Sequence, residues 1–260
     1  MPVGDAFRPN HSISPNVFKI LILGEAIMAI AAWWLLPLQV IPKPAEVVRA
    51  LGNLWMEGLG RELIISFTLN LEAIFWTLAI SLALSYLTVL PAFRPIAAAL
   101  SKGRFLGLIG LTLIFTLTVG GGHELKLSLL VFGMSVFFIT SMVAVITELP
   151  KEKFDHARTL GMNEWRVVWE VVVLGTADEA FEVLRQNAAI GWMMLTMVEG
   201  ISRAEGGVGA MLLNQNKHFH LAEVFAIQIV ILVVGILQDY AIGLLRRLFC
   251  PYAELVLERK

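Results

Sequence analysis

The sequence predicts an all-α membrane protein of about six transmembrane helices, with both termini on the cytoplasmic side. Three observations carry that expectation. Hydrophobic residues make up 57% of the 260 residues and charged residues 16%, where a soluble domain carries about 25% charged. Apolar runs recur along the chain between short segments rich in Pro, Gly and charge, and spans of about 20 residues leave room for about six. The basic residues are also uneven. Thirteen of the twenty Lys and Arg, among them Lys151, Lys153, Arg158, Arg166, Arg246 and Arg247, fall in segments assigned inside. Six fall outside, and Arg185 lies within a span. That bias places the termini and the segment around Lys151 in the cytoplasm.

Taken in order, residues 1–16 read as a polar cytoplasmic tail with Pro2, Pro9 and Pro15. Residues 17–245 form the six-span body, and residues 246–260 a second cytoplasmic tail. The first span, 17–41, ends near Trp33-Trp34, where indole rings favour the headgroup level; its apolar run is too long for a signal-peptide core, so it reads as an uncleaved anchor. Residues 45–60 place Val47, Leu51, Leu54 and Trp55 on one face of a short helix lying on the membrane. The second span, 63–90, stops at Pro91, and a basic loop with Arg94, Lys102 and Arg104 follows. Spans are then expected at 105–119, 125–147, 181–198 and 221–245, with a polar, Gly-containing outer loop between the last two.

The long charged run lies in the cytoplasmic loop 148–175. It reads as two amphipathic helices hinged at Gly161, a residue that can take the positive φ of a sharp turn. Phe154, Ala157 and Leu160 share one face before the hinge. Trp165, Val168, Trp169 and Val172 share one after it, with Asn163 placed to cap the second helix. Such an elbow can receive a soluble partner or lie on lipid headgroups. Spacing alone does not separate the two.

Little else carries chemistry. The Gly120-Gly121-Gly122 run lacks a following Lys-Ser/Thr, and G-x-x-x-x-G-K-[ST] occurs nowhere, so any ATP must be bound by another chain. His218 and His220 have only Glu223 nearby and make no metal site. No Ser/His spacing matches a hydrolase, the lone Cys250 excludes an intrachain disulfide, and a net charge of −1 argues against nucleic acid. No catalytic or metal-binding residue is assigned. Polar residues inside spans are costly and therefore informative. Asn187, Trp192 and Glu199 in the fifth span are candidate pathway residues, with interhelical packing as the plain alternative for each. Arg185 stands one helical step from Glu182 and can pair with it. Asp178, Glu179 and Glu182 form an acidic cluster that could meet a basic patch on a partner. Asp239 stands near Arg246.

Asp155-His156-Ala157-Arg158-Thr159-Leu160-Gly161, followed by Trp165, resembles the EAA loop of ABC-importer permeases, closest in wording to the nitrate/sulfonate/taurine/bicarbonate branch. Asp155 stands for the usual Glu and His156 for the first Ala, while Ala157 and Gly161 match. The residues from Pro42 to Val47 resemble a P-x-P-x-E-V stretch of the same branch. Gly122 to Lys126, Arg185 to Trp192, Glu199, Gly206-Gly207-Val208-Gly209 and Leu244 to Leu248 follow its later landmarks. The resemblance implies a type I ABC importer permease fold in a bacterial inner membrane, taking up a small anionic solute. It also implies two permease chains around a central path lined by the fifth span, a separate ATPase subunit that holds ATP and Mg, and a substrate-binding protein. Phe154, Asp155, His156, Ala157, Leu160 and Gly161 would couple to the ATPase. The chain itself would be no enzyme and hold no cofactor.

The sequence departs from that family where the second span lacks an arginine and where no proline occurs between Pro95 and Pro150. Both departures leave pairing with a different permease chain as open as a homodimer. An ATP-independent carrier or channel could be offered on Glu25 and Glu72, and a non-transporting scaffold on the elbow alone. Neither accounts for the EAA-like wording, and no inverted repeat is evident.

Overall fold

A computed structural model describes residues 14–35 and 41–251. Most of both predicted tails, including Arg8, Arg259 and Lys260, and residues 36–40 of the first predicted span lie outside the described residues. Among the described residues every regular element is helical. The α-helices are α1 Pro15–Leu35, α2 Pro44–Met56, α3 Leu59–Leu87, α4 Arg94–Lys102, α5 Leu108–Val119, α6 His123–Thr147, α7 Lys151–Thr159, α8 Glu164–Val167, α9 Ala177–Ile201, α10 Val208–Lys217 and α11 Leu221–Phe249.

The centre is built by α3, α6, α9 and α11, with α10 seated against α9, α11 and α3. Leu59, Leu129, Leu130, Leu195 and Ile227 are fully buried there. Much of the remaining apolar surface faces outward, as expected where the solvent is hydrocarbon. On α5, for example, Ile109, Leu113 and Leu117 are exposed. By length and composition α1 (from Asn16), α3, α6 and α11 can each cross a membrane. The stretch Pro91–Phe105 with α5 would make a fifth, bent by 116°.

That bend revises the expected third span. Leu106 and Gly107 are extended, with ψ 122° and 128°, so the chain turns before α5. The 12 residues of α5 rise only about 18 Å, and the predicted basic loop is itself the helix α4. The expected fifth span is the 25-residue α9. It has the length to cross, but Asp178, Glu179, Glu182, Arg185 and Glu199 thin its apolar character.

Two other segments differ from expectation. The outer loop after α9 folds into a helix, α10. Helix α2 turns Val47, Ala50 and Leu54 inward (4%, 4% and 1% exposed) while Trp55 stays out. It packs against α11 and α3 instead of lying free on a membrane surface. Its start is fixed by Lys43 N–H donating to Glu46 Oε2 at 2.9 Å, one half of a capping box. Helix α1 has none of its apolar window buried; Trp33 ties it to the body, its Nε1 donating to Pro42 O at 3.0 Å and its ring stacking on Phe225.

Candidate functional site

The charged elbow is helix α7, a tight turn, and α8 continuing into a π-helical stretch, Val168–Leu174. The turn is a Schellman motif. Gly161 has φ +77°, its N–H donates to Arg158 O at 2.9 Å, and Met162 N–H donates to Ala157 O at 3.3 Å. A residue with a Cβ pays for that φ, so glycine suits the position. Asn163 caps the second helix as its spacing predicts, Oδ1 accepting from Arg166 N–H at 2.8 Å.

One side chain clamps the two arms. Arg158 donates through Nε and Nη2 to both Glu164 carboxylate oxygens, at 2.9 and 3.1 Å, and through Nη1 to Asp155 Oδ1 at 3.1 Å. Hydrogen bonding from Arg158 holds the Glu164 carboxyl below its ordinary range. Ala157 is buried, Phe154 is half-buried, and Asp155, His156 and Leu160 are exposed. The second predicted face is displaced. Val167 and Val172 are buried, whereas Trp165 and Trp169 are 71% and 57% exposed. The inward residues are five apart, the step of a π-helix, while the prediction assumed an α-helical period. The elbow therefore presents Leu160, Trp165 and Trp169 outward beside an exposed charged clamp.

The three candidate pathway residues fall in different surroundings. Asn187 is buried, Nδ2 donating to Met134 O at 3.0 Å. Trp192 is buried against Gln238, its Nε1 donating to Gln238 Oε1 at 2.9 Å, and it also lines a cleft between α9 and α11. Glu199 is fully buried at the start of α10. Its Oε1 accepts from Ser66 Oγ at 2.7 Å and its Oε2 from Gly209 N–H at 2.8 Å. Gly207 and Val208 donate to Glu62 Oε2 and Ser66 Oγ at 2.5 and 2.8 Å. Three successive N–H groups at the start of α10, free of intrahelical partners, are thus satisfied by side chains from α3 and α9. Lys126, also buried, closes the junction by donating to Gly206 O at 2.9 Å. Glu62 and Ser66 carry no motif in the sequence that marks them for this junction, and Lys126 sits in it instead of in the expected outer turn.

The acidic cluster finds its bases within the chain. Arg246 reaches Asp178 at 3.4 Å and Glu182 at 3.2 Å. Arg185 pairs with Glu182 at 3.4 Å, as its spacing predicts, and with Asp239 at 2.9 Å. The expected neighbour of Asp239 was Arg246; its partner is Arg185. Among the described residues no group of three or more His, Cys, Asp or Glu could hold a metal ion.

No protein-family model matches the chain. Over 133 residues it is 25% identical to the taurine transport system permease protein TauC of Escherichia coli (strain K12), covering 51% of this chain and 48% of that protein. The chain thus spans about half the length of that curated relative. Its fold matches a chain of the MetNI methionine ABC transporter in inward-facing conformations, with a TM-score of 0.53 at 15% sequence identity. That match covers 75% of this chain and 96% of the other. The fold is that of an ABC-transporter permease. In this permease-like fold the elbow joins two long packed helices, α6 and α9.

Proposed function

We propose that the chain is the membrane-spanning permease subunit of an ATP-driven importer, with the α7–α8 elbow as the coupling surface for a separate ATPase. The observation that carries this reading is the elbow's construction. A buried Ala157 and a Schellman turn fix its angle, Arg158 locks its arms, and Leu160, Trp165 and Trp169 face outward. Exposed aromatic anchors on a rigid charged frame suit a protein cleft. Phe154, Asp155, His156, Ala157, Leu160 and Gly161 carry the contact and its transmission. ATP and Mg are held by the partner, since this chain has no Walker motif. A second permease chain, identical or different, completes the path in a bacterial inner membrane, and a substrate-binding protein delivers a small solute. Trp192 borders that path, while Asn187 and Glu199 brace α9 and α10 behind it. The alternating access itself is rigid-body rocking driven from the elbow.

The test is a pair of substitutions at Gly161. Within the chain nothing lies within 4 Å of its Cβ position, so a substitution strains φ without meeting a neighbour in this chain. Gly161→Val abolishes ATP-driven uptake with the protein still inserted. Gly161→Asn, which tolerates a left-handed conformation, retains most of it. Full transport by Gly161→Val contradicts the coupling role.

A further inference from the structure

A cavity of about 580 Å³ lies among α3, α4, α5 and α6, within the about 300–1,000 Å³ of small-molecule sites. Glu72 and Trp76, one turn apart on α3, line it together with Glu124, Ser128 and Phe132 of α6 and Phe115 of α5. Its charge has one sign: two carboxylates line it, and no Lys or Arg does. Glu72 stands beside the midpoint of the 29-residue α3, where a carboxylate needs water or a positive partner. His123 Nε2 lies 2.9 Å from its Oε2. Glu124 has no ion-pair or hydrogen-bond partner among the described residues, and neither has the Ser128 hydroxyl one turn on. Ser135, further along the same wall of α6, is 8% exposed, and its hydroxyl also lacks a partner among the described residues.

We infer that this cavity binds an organic ammonium ion with an apolar body. The site depends on the bundle alone and holds whether or not an ATPase docks on the elbow. Charge decides the class. An anion, or the anionic end of a zwitterion, would lie between two carboxylates with no Lys or Arg to meet it. A positive group gains from both carboxylates and from the aromatic walls, whose π faces attract cations. The Phe115 and Phe132 rings meet at 5.8 Å with their planes 57° apart, so one cation can lie near both. A bare metal ion is a poor occupant: among the described residues no group of three or more His, Cys, Asp or Glu could hold one. Beyond the rings the lining continues as Ile80, Leu84 and Ile139, which suits the carbon body of the ligand.

Glu124→Gln is the variant that tests this, because the carboxylate supports no other contact among the described residues. The full chain is purified in dodecyl maltoside, and binding of radiolabelled benzyltrimethylammonium is followed by equilibrium dialysis. Saturable binding at one site per chain is expected. Glu124→Gln weakens it at least fivefold with the unfolding midpoint unchanged, and Glu72→Gln combined with Glu124→Gln abolishes it. Phenylmethanesulfonate does not compete, and N,N-dimethylbenzamide, an uncharged analogue of similar size, competes at least tenfold more weakly. Thiol protection places the ion. In a Cys250→Ser background, benzyltrimethylammonium slows the reaction of Ser128→Cys with N-ethylmaleimide at least fivefold, while Leu117→Cys on the exposed face of α5 reacts at an unchanged rate. Absence of saturable binding overturns the assignment, as does wild-type affinity in Glu124→Gln. Equal competition by the uncharged analogue also overturns it and makes the cavity a groove for lipid chains. The assay contains no ATPase, so its failure leaves the permease reading standing, and failure to recover an ATPase from membranes leaves the site.

Discussion

At the scale of single residues, burial sets the stakes. Glu199 is a fully buried carboxylate whose oxygens accept from Ser66 and from the Gly209 N–H. Removing it leaves buried donors without partners, which costs more than the bond itself contributed. Glu199→Ala is expected to destabilise the protein by about 2–4 kcal/mol, read as an earlier midpoint in denaturing detergent. Glu199→Gln keeps an acceptor and costs less than half as much. Equal losses would mean that the charge alone matters. Gly207 has φ +108°, and a Cβ there collides with the Glu199 carboxylate. Gly207→Ala combines overpacking with backbone strain, for about 2–4 kcal/mol by the same measurement. No change in midpoint would show that the junction yields. By contrast Arg158 is half-exposed, and its clamp lies in solvent. Arg158→Gln leaves stability nearly unchanged but lowers ATP-linked uptake severalfold, because it frees one arm of the elbow. Uptake at the wild-type rate would assign the clamp no coupling role.

At the scale of elements, legibility in the sequence followed local chemistry. The Gly161 turn and the Asn163 cap were readable because a left-handed φ and an orphan N–H each demand particular residues. The Glu182–Arg185 pair was readable because it needs only one helical step. Three things were not. The outward turn of Trp165 and Trp169 comes from a π-helical stretch, which a 3.6-residue period cannot anticipate. The bend before α5 comes from two extended residues at Leu106-Gly107 inside a run that reads as continuously apolar. Helix α10 hides in a polar loop because its N-terminus is satisfied by Glu62, Ser66 and Glu199 from elsewhere in the chain. One overlooked signal was present. Ser66, Asn70, Thr77, Ser81 and Ser85, all buried on α3, recur at helical spacing. Small and polar residues so placed mark the packed face of a membrane helix.

At the scale of the whole molecule, the permease-like bundle leaves two polar features on its surface. The elbow shows exposed aromatic and charged groups on a fixed frame. The α9–α11 cleft exposes an ion pair close to the middle of a membrane-length helix. Under the proposed function this chain moves solute only by engaging an ATPase through α7 and α8. The most direct test is to tag the chain, solubilise native membranes gently, and quantify what co-purifies with and without an ATP analogue. A P-loop ATPase is expected in about equal amount, lost when Gly161→Val is introduced and reduced severalfold by Arg158→Gln. A chain recovered without an ATPase in several mild detergents, yet still supporting uptake, would contradict it.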